Sequence, residues 1–544
     1  MSTAIAVLGG VGLFLLGMTV MTDGLKAMAG SALRTVLSKA AATPLSGAFW
    51  GALVTLLVQS SSATTMTTIG LVSAGLLTFP QGLGLVFGAN VGTTGTGWLV
   101  ALIGLRVSLS SYALPLIFVG ALTKLLASGR IAAAGAALAG FALVLYGLTT
   151  LQQGMGGLSE SLHPSDLPAV LGAPDVGWLA GLSGLLKLVF VGLAMTAVMQ
   201  SSTAAIAVTL AAFGAGAIGL DQGCALIIGQ NIGTATSSAL AAIGASVTAK
   251  RLALAYVLFK VIAALIALAA FPFTTPLMQR WQSAVDGLTL LAAYHTAYNV
   301  VGVAVLLPAI DWFTRLVGRL LPSREPPLKR SLDPAALVNP VVAVEAVRRT
   351  VASVLATLFV SVAASLSGGG KDGVAASASR ALDEAWEFLS ELRAPPETEA
   401  EQHRLTSTLH ALDRASQFAE MLQRAPAPKM GPEELGAAEL CTAAMGWAQT
   451  VADSITTESA LSERAPPIGW QATPEAEAAL TELERTAKAL DDVQRVHRAT
   501  TLAAVAPGKL NAAEAFDRVD AVRRLDEMAH LAWRSAAHLL GRGV

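Results

Sequence analysis

Apolar residues dominate positions 1–320 in runs of about 20, the length that spans a bilayer's hydrocarbon core. Such runs occur at 3–22, 82–105, 110–128, 131–150, 222–245, 250–270 and 288–308, and predict seven transmembrane helices. Two further runs, 45–79 and 176–219, are too long for one crossing. Each is broken near its middle by a polar cluster, Gln59-Ser60-Ser61-Ser62-Ala63-Thr64-Thr65 in one and Gln200-Ser201-Ser202-Thr203 in the other. This pattern predicts two re-entrant helical hairpins, because broken backbone at membrane depth persists only where protein or water covers it. Beyond a Pro-rich, charged linker at 321–338 the pattern changes to Ala and Leu at helical spacing. Helices are expected at 339–367, 374–393, 398–424, 432–461, 474–505 and 511–541, with Pro and Gly between most of them. The uncharged run 351–367 has only 17 residues and follows Arg348 and Arg349, so it reads as a buried bundle helix. The expected fold class is all-α: a polytopic membrane domain and a soluble C-terminal helical bundle.

The polar clusters belong to an internal repeat. Gln59–Ser62 recurs as Gln200–Thr203, 141 positions later, and FPQGLGLVFGANVGTT (79–94) matches GLDQGCALIIGQNIGTA (219–235) at the same offset, pairing Asn90 with Asn231. Upstream, LFLLGMT (13–19) pairs with LVLYGLT (143–149) at an offset of 130. Each copy reads as one span, one hairpin and two spans. Three crossings are an odd number, so the copies face opposite ways, the inverted-repeat plan of many secondary transporters. The expected domains are repeat 1 (1–130), repeat 2 with a final span (131–320), the linker (321–338) and a cytoplasmic helical domain (339–544).

Charge adds orientation. Residues 1–320 hold 13 Lys/Arg and 7 Asp/Glu, which leaves 23 of the 36 bases and 30 of the 37 acids to the tail. Basic loops face the cytoplasm, which places Lys26, Arg34, Lys39, Arg130, Lys250 and Arg251 inside, together with the exit at Arg315, Arg319, Arg324, Lys329 and Arg330. The loop 151–177, with Glu160, Asp166 and Asp175 and no base, falls outside; Arg106 and Arg280 also fall outside, against the rule. The expected location is the inner membrane, multi-pass, with the tail cytoplasmic. The N-terminus lacks a basic n-region and reads as a first span rather than a cleaved signal. Two cysteines make no disulfide framework or zinc spacing, and Cys224 reads as a small buried apolar residue. There is no GxxxxGK[ST] or HExxH motif, and nucleic acid is not an expected partner.

One hydroxyl in a span usually bonds back to its own helix. A run of adjacent polar groups cannot all be satisfied that way, and unpaired ones are costly in hydrocarbon. A helix that restarts at such a break offers free N–H groups and a positive dipole end to an anion. Ser and Thr oxygens and freed carbonyls suit a small hard cation. Asn90 with Thr93 and Thr94, and Asn231 with Thr234, lie beside Gly92 and Gly233 and predict a second break in the following spans. Four breaks converging from two sides describe a cation-coupled anion carrier.

QSSSATT, QSSTA, GANVGTT, GQNIGTA and YHTAYN (294–299) resemble the type II sodium–phosphate cotransporter family over about residues 1–315. The resemblance implies inorganic phosphate as substrate and Na⁺ as coupling ion, with no other cofactor. It also implies that Gln59, Ser60, Ser61, Ser62, Gln200, Ser201, Ser202 and Thr203 line the site. Thr64, Thr65, Thr93, Thr94, Asn90, Asn231, Thr234, Lys260 and Asn299 complete the candidate set. Lys260 is an intramembrane ionisable group and by that alone a functional candidate, for phosphate or for a cation site; His295 reads as a structural histidine beside Asn299. The same site allows phosphate uptake or phosphate export. A rival enzyme reading, an intramembrane serine protease, would use Ser183 of Gly181-Leu182-Ser183-Gly184 with His295 as base. The tail resembles the PhoU-like domain fused to bacterial members of the family, on AVEAVRR (343–349) and LDRASQFAEML (412–422); a homodimer or partner interface is the other reading of it.

Overall fold

The computed structural model describes residues 3–40, 43–104, 110–160, 163–173, 176–243, 245–322, 332–369, 373–392, 396, 398–424, 431–461 and 472–543. All regular structure there is helical, with no strand among the described residues. Arg106, Asp175 and linker residues 323–331 lie outside them, as do the side chains of Arg34 and Lys39. The chain forms two compact units, one of 1–69 with 79–323 and one of 70–78 with 324–544. Placement of 70–78 with the tail was not legible in the sequence.

The first unit contains α1 (Thr3–Ala40), α2 (Pro44–Val58), α3 (Ser61–Ser73, whose last turn belongs to the second unit), α4 (Phe79–Gly92), α5 (Thr94–Leu99), α6 (Ser110–Leu126) and α7 (Gly129–Ser159). It continues with α8 (Trp178–Met199), α9 (Ser202–Gly214), α10 (Leu220–Ala241), α11 (Val247–Trp281), α12 (Gly287–Leu306) and α13 (Ile310–Leu320). Several helices outrun their predicted spans. α1 continues through Asp23 and Lys26, and α11 carries Pro272 and Pro276 within it. The predicted stop near residue 270 fails because packing holds the helix together past the missing donors, and the Thr275 hydroxyl bonds the Phe271 carbonyl at 2.9 Å. α13 buries Phe313 and Val317 and exposes Asp311, Arg315 and Arg319, an amphipathic helix the sequence reading took as exit loop. Among the described residues seven helices are long and apolar enough to cross a membrane, six of them in this unit. Their outward side chains, such as Leu8, Phe190 and Val198, are largely exposed, as lipid-facing residues are.

Small residues set the packing, as expected where no hydrophobic effect drives helices together. α1 and α7, the first helices of the two repeats, run antiparallel in close contact. A Cβ on Gly10, Gly17 or Gly24 would lie 2.5–2.6 Å from the backbone of Leu151, Val144 or Ala137. Gly140, Gly147 and Gly154 lie 130 positions further on and meet Met21, Phe14 and Val7 reciprocally. The offset of 130 read from LFLLGMT and LVLYGLT thus recurs in these glycine contacts, and α1 and α7 run in opposite directions.

The second unit packs α14 (Pro340–Leu366), α15 (Val374–Ser390), α16 (Glu399–Arg424), α17 (Leu435–Leu461), α18 (Pro474–Ala503) and α19 (Ala512–Leu539). Asn339, Thr473 and Asn511 cap α14, α18 and α19 by accepting an early backbone N–H, and Pro follows the cap in the first two. α14 has the length and apolarity of a span, yet Leu355, Leu358 and Phe359 are buried within the bundle, with Phe359 edge-on to Phe418 of α16 at 5.5 Å. In the 70–78 segment, the Ser73 hydroxyl donates to Asp333 at 2.8 Å, both residues buried.

Candidate functional site

Both predicted helix breaks are present. α2 ends at Gln59 with φ 57°, and α8 ends at Gln200 with φ 50°; these are the only non-glycine residues with positive φ among the described residues. A left-handed residue bearing a side chain costs about 1–2 kcal/mol, so each glutamine is held there by what its side chain does. The two do the same thing. Gln59 Nε2 donates to Leu56 O at 2.5 Å, while its Oε1 accepts from Thr96 Oγ1 at 2.5 Å. Gln200 Nε2 donates to Ala197 O at 2.5 Å, and its Oε1 accepts from Ser237 Oγ at 2.7 Å. Thr96 and Ser237 each lie 37 residues downstream and are themselves 141 apart. The sequence reading missed both; carrying the 141 offset two positions beyond Thr94 would have found them.

After each glutamine the chain restarts as a helix. Ser60 Oγ accepts from Ala63 N at 3.3 Å, and Ser201 Oγ from Ala204 N at 3.2 Å. These serines are therefore N-caps. The amides of Ser61 and Ser62, and of Ser202 and Thr203, have no intrahelical acceptor. They head α3 and α9, partly exposed, where the helix dipole is positive. Thr64 is buried and spends its hydroxyl on Thr55 at 2.9 Å, a structural role within the pair of half-helices, while Thr65 is half-buried.

The predicted second break is corrected by the structure. α10 runs unbroken through Asn231, and in the first copy only Thr93, itself at helical angles, separates α4 from α5. Local bonds hold the helix. Asn90 and Asn231 donate Nδ2 to the carbonyls four residues back, Val86 and Ile227, at 2.9 and 3.0 Å. Thr93, Thr94 and Thr234 likewise bond to Ala89, Val91 and Asn231 carbonyls. The glycines serve close approach, not a turn. A Cβ on Gly88 would lie 1.9 Å from Ala48 O, and one on Gly229 1.9 Å from Val189 O, again 141 apart.

Asn231 joins a buried cluster built from α10, α11 and α12. Lys260 Nζ lies 3.2 Å from Asn231 Oδ1 and 3.4 Å from Asn299 Oδ1, and Asn299 Nδ2 donates to Asn231 Oδ1 at 3.3 Å. Tyr256 and Phe259 rings lie 5.6 and 5.9 Å from the ammonium, a cation–π distance. Among the described residues no carboxylate bonds Lys260; amide oxygens hold its amine. Tyr256, a residue not singled out in the sequence, also donates to Thr234 at 3.3 Å. His295 is buried next to Gly97 of α5, whose neighbour Trp98 donates to Thr296 of α12 at 2.9 Å. Cys224 is buried against Met278, as its apolar reading expected. Ser183 lies exposed on α8 and bonds back to Ala180 O at 3.1 Å, and no hydrogen bond joins it to the buried His295.

Paired helix breaks with neutral polar linings, set among membrane-long apolar helices, define a membrane transporter. The chain belongs to the Na⁺/Pi-cotransporter family, whose model matches residues 13–153 and 178–293. This is a transporter family and not an enzymatic one, which removes the protease reading. The chain is 28% identical to the uncharacterized protein YqeW of Bacillus subtilis over 57% of this chain and 96% of that one. It is 30% identical to YjbB of Escherichia coli, a candidate inorganic phosphate export protein, over 62% of this chain and 59% of that one. A stretch of 59 residues is 48% identical to the human sodium-dependent phosphate transport protein 2B, 11% of this chain and 9% of that one. No solved structure gives a significant match.

Proposed function

We propose that the protein is a sodium-coupled carrier of inorganic phosphate in the inner membrane, working by alternating access. The observation that carries this reading is the pair of left-handed glutamine turns, Gln59 and Gln200, each tied to a hydroxyl 37 residues on. In this reading α2–α3 and α8–α9 are re-entrant hairpins of an inverted repeat, a view supported by the antiparallel pairing of α1 with α7. Phosphate sits at the heads of α3 and α9, on the amides and hydroxyls of Ser61, Ser62, Ser202 and Thr203. Such a site binds through neutral donors and releases the anion readily, which a carrier needs. Na⁺ is taken by oxygens of the same hairpins. Lys260 contributes its amine, held by Asn231 and Asn299, to phosphate or to a cation site. The second unit is a cytoplasmic regulatory bundle.

Flux of ³²P-phosphate into proteoliposomes, with and without an inward Na⁺ gradient, tests this. Na⁺-stimulated flux that disappears in Ser61→Ala plus Ser202→Ala is the expected result, and Lys260→Ala should alter both rate and Na⁺ dependence. Flux untouched by these changes sinks the site. A second reading, phosphate export by the same site, is favoured by the printed name of YjbB. Flux that runs outward faster under an imposed internal phosphate load would select it.

A further inference from the structure

The second unit carries a cluster of two arginines and two histidines that nothing above uses. On α16, His410 and Arg414 are four residues apart and share a face; on α19, Arg534 and His538 do the same. The helices pack so that the His410 and His538 rings stack, with centroids 5.0 Å apart and planes at 27°. Burial, and then the neighbouring His410, Arg414 and Arg534, push the His538 imidazole below its ordinary range. From α14, Arg348 reaches the Leu539 carbonyl at 2.8 Å, but Glu345 matches its charge at 3.0 Å.

Two nitrogens in this patch are buried without a hydrogen-bond partner, Arg414 Nε and His538 Nδ1, while Arg414 Nη1 donates to Gln417 Oε1 at 2.9 Å. His538 is 8% exposed, whereas His410 and Arg534 are open to solvent, so the patch joins a buried ring to exposed ones. Bringing two guanidinium charges toward one ring costs free energy, and leaving the buried Arg414 Nε–H unmet costs about 1–3 kcal/mol more. The tail has more acids than bases, and still neither Arg414 nor Arg534 makes an ion pair among the described residues.

We infer that His410, Arg414, Arg534 and His538 form a binding site for a small soluble anion bearing one or more phosphate groups, on the tail and apart from the transport path. Guanidinium forks match phosphate oxygens in pairs, and the two imidazoles supply N–H donors between them. A ligand there would lock α16 to α19.

Pyrophosphate is the probe, titrated calorimetrically into the full-length protein in detergent. Saturable binding should survive in Ser61→Ala plus Ser202→Ala and weaken about tenfold or more in Arg414→Gln plus Arg534→Gln, the effect of losing one charge-assisted hydrogen bond. Arg534→Lys, which keeps the charge and loses the fork, should fall between. Equal affinity in the double glutamine variant overturns the proposal. So does an absence of saturable binding, or arginine dependence seen only with phosphatidic acid vesicles. The hairpin variant separates this site from the transport site, so each can fail alone.

Discussion

The left-handed glutamines give a test that separates a functional side chain from a structural one. In Gln59→Gly the backbone keeps its φ of 57° and loses the penalty of about 1–2 kcal/mol that a side chain carries there. Against this gain stand two lost hydrogen bonds, to Leu56 O and from Thr96 Oγ1, each worth about 0.5–1.5 kcal/mol net. The terms nearly cancel, so stability should change by no more than about 1 kcal/mol. Transport should be lost, because Thr96 is released and the head of α3 is no longer aimed. Gln200→Gly should behave the same way through Ser237. The assay pairs thermal unfolding in detergent with phosphate flux in liposomes. Gln59→Ala serves as the contrast: it keeps the strain and loses the bonds, so it should melt lower than the glycine variant. If Gln59→Gly melts as wild type and still carries phosphate at the wild-type rate, the glutamine is only a helix end and the reasoning fails.

Two further perturbations follow from the packing and the tail. Gly229→Ala would put a methyl 1.9 Å from Val189 O, so α8 and α10 must part; the cost should be about 1–3 kcal/mol or more, read as a lower melting temperature. Gly12→Ala meets nothing within 4 Å and should be neutral to slightly stabilising; equal effects of the two would refute the close-approach argument. In the bundle, the hydrogen bond to Asp526 raises the His530 imidazole above its ordinary range. A folded value above the unfolded one stabilises below the unfolded pKa, near 6.5, and that contribution fades as pH rises through the raised value. His530→Gln should therefore melt lower than wild type in mild acid, with the gap closing toward alkaline pH, and a gap that widens instead would show that the pair does not stabilise the fold.

The sequence by itself determined the helical class, the two regions and most helix positions. The tail helices begin and end within a few residues of their expected bounds because Asn339, Thr473 and Asn511 are caps and Pro and Gly punctuate the gaps. The breaks at Gln59 and Gln200 were legible because six polar residues in seven positions, or four in a row, cannot be satisfied on one apolar helix. Offsets of 130 and 141 were legible as identity, and they return in space as glycine contacts. What only the tertiary structure decided depends on partners far apart in the chain. Nothing local marks a glutamine for the left-handed region; Thr96 and Ser237 pin it there. Asn-x-Gly-Thr reads as a break from composition, but back-bonding to Val86 and Ile227 keeps the helix, and the adjacent glycines exist for the facing backbone. Lys260 could be flagged as an intramembrane charge, yet its amide partners Asn231 and Asn299 lie 29 and 39 residues away on other helices. Periodicity reports which face of a helix is apolar; which polar groups meet is set by how the helices pack.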